Sequence, residues 1–82
     1  MNIEVLGSGC PNCQTLERRT REALAELHLD ATIEKVQDMQ AIVSYGVMRT
    51  PCLVIDGRVV IQGAVPKVDA LKELLTKHAG AR

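Results

Sequence analysis

The residues best suited to chemistry in this sequence are two cysteines three positions apart, Cys10 and Cys13, in the stretch GSGCPNCQTLERR. Such a pair can serve reversible disulfide exchange, half of a thiolate metal site, or a structural cross-link. Residues i and i+3 on a helix place their β-carbons about 5–6 Å apart, near enough for an S–S bond after small adjustment. Position adds to spacing. The run NIEVLG reads as a strand over residues 2–6, stopped by Gly7 and Gly9. A helix follows with Pro11 at its first position, where the missing N–H costs nothing, and Cys10 at the N-cap. The first turn of a helix leaves backbone N–H groups unpaired and carries roughly half a positive charge, and both favour a thiolate at Cys10. Cys13 lies one turn further in, on the apolar face, where desolvation favours the neutral thiol. In exchange chemistry Cys10 would attack a substrate disulfide and Cys13 would resolve the mixed disulfide.

The elements that must hold this pair follow from periodicity and turn residues. Cys13, Leu16, Thr20, Leu24 and Leu27 recur at three- and four-residue intervals, forming one face of a helix that runs to about His28. Glu17, Arg18, Arg19, Arg21, Glu22 and Glu26 fill the remainder and read as a solvated face, with Glu17–Arg21 and Arg18–Glu22 spaced for weak ion pairs. ATIEKV reads as a second strand, and Asp38 caps a short helix through Met39, Ile42 and Val43 that ends near Gly46. CLVIDGRVVIQG is two strands turning at Asp56-Gly57, a strong hairpin signal. A last helix begins near Pro66, with Val68, Leu71, Leu74, Leu75 and His78 inward. The order is β-α-β-α-β-β-α. A right-handed parallel β-α-β unit followed by an antiparallel hairpin gives an α/β fold, a four-stranded mixed sheet flanked by three helices.

Composition removes several alternatives. Eighty-two residues make one domain, residues 1–82. Ten basic residues balance ten acidic ones, so there is no electrostatic case for nucleic acid or a membrane surface as partner. No apolar stretch approaches the roughly 20 residues of a membrane span, and no leader with an apolar h-region is visible. These readings place the protein in the cytoplasm, where persistent structural disulfides are rare, and three cysteines suit a disulfide framework poorly. The cross-link thereby recedes, and exchange and metal binding stay open. His28 and His78 stand at or near helix ends, with no cysteine at ligand spacing.

The stretch RTPCLV supplies a second clue, a proline at the start of a strand behind a β-branched threonine, a place where cis peptide bonds occur. With it the chain resembles the thioredoxin/glutaredoxin superfamily, and in particular its small archaeal and bacterial redox-active disulfide proteins. The resemblance runs through IEVLGSGCPNCQTLE, SYGVMRTPCLVIDGRVVIQG and VPKVDALKELL. It implies thiol–disulfide exchange on protein or small-molecule disulfides, with electrons from a separate reductase and no cofactor beyond the Cys10–Cys13 disulfide. It implies a cis Thr50-Pro51 bond beside the cysteines, offering backbone to a substrate, and a Gly63 that lets the substrate approach closely. Glu4 stands six residues before Cys10, where thioredoxins carry a buried aspartate that helps deprotonate the resolving cysteine. The plainer reading of Glu4 is a strand carboxylate at the sheet margin.

Cys52, directly after Pro51, is either a small buried hydrophobe or a third thiolate that joins Cys10 and Cys13 around copper(I) or zinc. That metal-binding module is the competing function. Arg49 beside the Thr-Pro loop could steady a thiolate or steer an acidic partner, against the plain reading of an exposed loop arginine. Tyr45 is expected to pack at the end of the short helix. The paired sheet edges give no sign of a dimer, so a monomer is expected.

Overall fold

Ile3 and Val5 face one side of the first strand and Glu4 and Leu6 the other, and this two-residue period divides the molecule into two cores. The structure, a computed structural model, describes residues 1–7, 9 and 11–79. Its elements are β1 (Asn2–Leu6), α1 (Pro11–Leu27), β2 (Thr32–Val36), α2 (Met39–Ser44), β3 (Cys52–Ile55), β4 (Arg58–Gln62) and α3 (Val68–Ala79). The strands lie in the order β2-β1-β3-β4. β1 and β2 are parallel, with Glu4 opposite Glu34, while β3 is antiparallel to both β1 and β4. The architecture is the expected mixed four-stranded sheet with three helices.

The larger core lies between one sheet face and the pair α1 and α3. Ile3, Val5, Leu16, Leu53, Leu71 and Leu75 are its main members. Leu16 and Leu71 are fully enclosed, so truncating either to alanine costs about 2–5 kcal/mol. On the opposite face Leu6, Ile42, Cys52 and Val54 form a smaller core under α2. Because α2 has only six residues, the β1–β2 side of that face is left to Asn2, Glu4, Thr32 and Glu34, which border an open depression.

Local chemistry sets the element ends. Thr20 is buried within α1, and its hydroxyl is satisfied by donating to the Leu16 carbonyl at 2.7 Å. α1 ends where His28 takes a left-handed φ of 55° and the Leu29 N–H turns back to the Leu24 carbonyl. Asp38 caps α2 by accepting from the Gln40 N–H. Asp56 and Gly57 both have positive φ, the conformation a two-residue hairpin requires.

The last helix differs from expectation at its start. α3 begins at Val68, because the carbonyls of Val65 and Pro66 are taken by the Arg19 guanidinium, each at 3.2 Å, instead of by a helical N–H. Its fully buried positions are Leu71 and Leu75, while Val68, Leu74 and His78 are half-buried. Arg18 and Glu22 form no ion pair among the described residues, whereas Glu17 and Arg21 do, at 2.9 Å. No helix among the described residues is long and apolar enough to cross a membrane.

Candidate functional site

Both parallel and antiparallel strands deliver their chemistry to one rim of the sheet. There the end of β1, the start of α1, the loop before β3 and the end of β4 converge. The Gly7 N–H donates to the Val36 carbonyl at 3.0 Å, extending the β1–β2 pairing one residue beyond the strand. Cys13, in the first turn of α1, is 5% exposed and packs directly on Gly7. A β-carbon on Gly7 would stand 2.2 Å from the Cys13 sulfur, 3.3 Å from its Cβ and 3.9 Å from the Pro51 Cα. Gly7 thus lies between the buried thiol and the proline loop, and its missing side chain is what lets them approach.

The Thr50–Pro51 peptide bond is cis. Pro51 is buried and Thr50 exposed, and the Pro51 carbonyl accepts the Gly63 N–H at 2.9 Å. Thr50, Pro51, Gly63, Gly7 and Cys13 therefore share one neighbourhood. Cys10, the expected attacking sulfur and N-cap, lies outside the described residues. Pro11 opens α1 as expected and is exposed, and its carbonyl accepts the Thr15 hydroxyl at 2.9 Å. The Gln14 side chain reaches back to the Gly9 carbonyl at 3.2 Å, tying the loop to the helix that follows.

A cavity of about 40 Å³ adjoins Cys13, lined by Val5, Gly7, Gly9, Gln14, Glu17, Lys35 and Gln37. That is room for one or two water molecules, with polar groups to hold them. Its charged wall is an ion pair between helix and sheet, Glu17 to Lys35 at 3.3 Å, with Arg21 on the same carboxylate at 2.9 Å. Burial pushes the Glu17 carboxyl up, but the hydrogen bonds and charges of Arg21 and Lys35 outweigh it and hold the group below its ordinary value. Glu17 had read as part of a solvated face. It is instead largely enclosed, because β2 passes close enough to α1 for Lys35 to reach it.

Several sequence expectations need revision. Glu4 does not meet Cys13. It shares the α2 face with Leu6, while its neighbour Val5 faces the cavity, and its carboxylate accepts the Tyr45 hydroxyl at 2.5 Å. That hydrogen bond, then burial, then the charges of Glu4 and Glu34 push the Tyr45 hydroxyl above its ordinary pKa. Tyr45 is the C-cap of α2, at the end of the short helix as expected. Cys52 also lies on the α2 face, fully enclosed with Leu6, Ile42 and Val54. Its thiol donates to the Arg49 carbonyl. Burial pushes that thiol's pKa up, with partial relief from the Gly63 N–H. The sheet therefore separates Cys52 from Cys13, which packs against the α1 side. Among the described residues no three His, Cys, Asp or Glu side chains come together as a metal site. Gly63, expected to let a substrate approach, is exposed, and the side chain of Arg49 lies beside it, with Cβ and Cδ 2.8 and 2.9 Å from where a Gly63 Cβ would be.

Gly7, Glu17 and Lys35 were not singled out by sequence reasoning. Glu17 carried a usable signal, since it stands four residues after Cys13 and hence on nearly the same helix face. Gly7 carried none, because its φ is ordinary and only the tertiary approach of Cys13 requires it.

Comparison with known proteins bears on this geometry. The family model described as "Thioredoxin domain" matches residues 1–76. A thioredoxin of Methanothermobacter thermautotrophicus is 41% identical over 76 residues, covering 93% of this chain and 99% of that one. A thioredoxin of Methanocaldococcus jannaschii is 36% identical over 76 residues, covering 93% of this chain and 87% of that one.

Proposed function

The chain belongs to the thioredoxin domain family, and we propose that it is a thiol–disulfide oxidoreductase whose redox centre is the pair Cys10 and Cys13. The observation that carries this reading is the packing of Cys13 on Gly7 beside the Thr50–Pro51 loop, which sets a buried thiol next to a loop whose Thr50 is exposed. The Cys10 thiolate attacks one sulfur of a substrate disulfide, and the other substrate sulfur leaves with the electron pair and gains a proton. Cys13 then loses its proton and attacks the Cys10 sulfur. The intramolecular disulfide forms, the second substrate thiol leaves, and two electrons have passed to the substrate. Thr50 and Pro51 form the docking backbone, and a separate reductase returns the electrons. No cofactor beyond the cysteine pair is required. The uneven number of cysteines and the redox chemistry suit a cytoplasmic setting.

Single-cysteine variants test this directly. With a protein disulfide as substrate, Cys13→Ser should accumulate a mixed disulfide at Cys10 that mass spectrometry detects, and Cys10→Ser should give neither mixed disulfide nor turnover. Full turnover by Cys10→Ser would refute the assignment. Exchange is favoured over the competing thiolate metal module because Cys52 packs in the core under α2 while Cys13 packs on the α1 side.

A further inference from the structure

Arg49 stands one residue before Thr50, and the fold fixes it at two points. Its carbonyl accepts the Cys52 thiol. Its aliphatic stem lies along Gly63, with Cβ, Cδ and Cγ at 2.8, 2.9 and 3.5 Å from the position a Gly63 β-carbon would take. Gly63 has a φ of 70° and donates its N–H to Pro51, so the stem rests on backbone that is itself tied to the proline. Beyond that stem the residue is exposed. The ion pairs among the described residues are Glu17 with Arg21, Glu17 with Lys35 and Glu26 with Lys72. Arg49 therefore presents a guanidinium with no carboxylate partner among the described residues, on a braced stem, at the loop where a substrate would dock. An unrestrained surface arginine must lose rotamer entropy before it can bind, and the packed stem has already removed part of that cost.

We propose that Arg49 is a specificity-determining residue that selects disulfides flanked by carboxylates, such as a peptide or protein segment with Asp or Glu next to the reacting cysteine. The assignment rests on the exchange reading above. A guanidinium takes a carboxylate bidentately, which fixes orientation as well as charge. The stem lies beside the exposed Gly63, so a docking segment that reaches Gly63 also meets Arg49. Met48, the residue before it, is 92% exposed, and its N–H donates to the Gln62 side chain at 2.9 Å.

The test uses reduced full-length protein and two short cysteine peptides activated as pyridyl disulfides, one flanked by Glu and one by Lys. Cys10 attacks the peptide sulfur, thiopyridone leaves, and Cys13 then releases the peptide as a thiol, so thiopyridone absorbance reads the second-order rate. The wild type should favour the acidic peptide roughly fivefold or more at low ionic strength. The preference should shrink at about 0.5 M salt, where charges are screened within a few ångströms. Arg49→Met keeps the stem and should bring the ratio near one, Arg49→Glu should invert it, and Arg49→Lys should retain much of it. An unchanged ratio in Arg49→Met overturns this assignment alone. Equal reaction by Cys10→Ser, or none by the wild type, overturns the exchange reading and this assignment with it.

Discussion

The tightest contact at the rim gives a sharp prediction. Gly7→Ala puts a methyl group 2.2 Å from the Cys13 sulfur and 3.3 Å from its Cβ. Ordinary van der Waals contact begins near 3.4 Å, so the sulfur must retreat by more than an ångström. Cysteine has a single side-chain torsion, and a staggered alternative carries the sulfur out of its site altogether. Otherwise the first turn of α1 shifts away from β1. Overpacking of this kind costs about 1–3 kcal/mol, readable as a fall in the urea midpoint of the reduced protein. The second effect is kinetic. A resolving sulfur displaced from its position should clear the mixed disulfide at least roughly tenfold more slowly, about 1.4 kcal/mol on the barrier. A double-mutant cycle isolates the contact. Cys13→Ala removes the offending atom, so adding Gly7→Ala to it should cost less than adding Gly7→Ala to the wild type, by about 1 kcal/mol or more. Strict additivity would refute the claim that Gly7 is glycine because of Cys13.

Three further outcomes follow from the electrostatics and the cores. Glu17 is held below its ordinary carboxyl value of 4.5 when folded, so its contribution is present at neutral pH and is lost as pH falls through the depressed value. Glu17→Gln should therefore flatten the acid limb of a urea-midpoint profile below pH 4.5, and an unchanged limb would contradict the bridging role. Tyr45 is displaced the other way, above 10.0, so its contribution is intact below that pH and disappears as pH rises through the raised value. Tyr45→Phe should be less stable at neutral pH yet show a shallower alkaline loss, by the same titration. Cys52 should resist alkylation in the native protein and react on unfolding, and Cys52→Ala should cost about 1–2 kcal/mol while leaving the Cys10–Cys13 redox titration in place. A changed Cys10–Cys13 potential in that variant would return Cys52 to the site.

The elements were legible because each carried a local signal, such as Asp56-Gly57 at the hairpin, Pro11 at the start of α1 and Asp38 at the cap of α2. The order β-α-β-α-β-β-α then left few ways to close a sheet. What the reading missed was which face a residue met. Glu4 was weighed by its distance from Cys10 in sequence, although the alternation of Ile3, Glu4, Val5 and Leu6 already puts it across the sheet from Val5 and the cavity. Glu17 sat in a charged run, and only the passage of β2 beside α1 brings Lys35 to it. The role of Gly7 depends on a non-local approach measured in tenths of an ångström, which no spacing rule contains. The last helix started two residues late because a side chain from α1, Arg19, took the carbonyls that would have begun it.

The hairpin turn is clasped to the first strand by a reciprocal pair of bonds. The Asn2 N–H donates to the Asp56 carboxylate and the Asp56 N–H to the Asn2 carbonyl, both at 2.8 Å. β1 runs from this clasp toward Gly7, so the clasp and the cysteine loop are at opposite poles of the same strand. Robustness and reactivity thus have separate addresses on the molecule. An engineer can harden or soften the scaffold at Asp56 and Gly57, or anchor the protein to an electrode near that turn, and leave the sulfur chemistry facing the other way untouched.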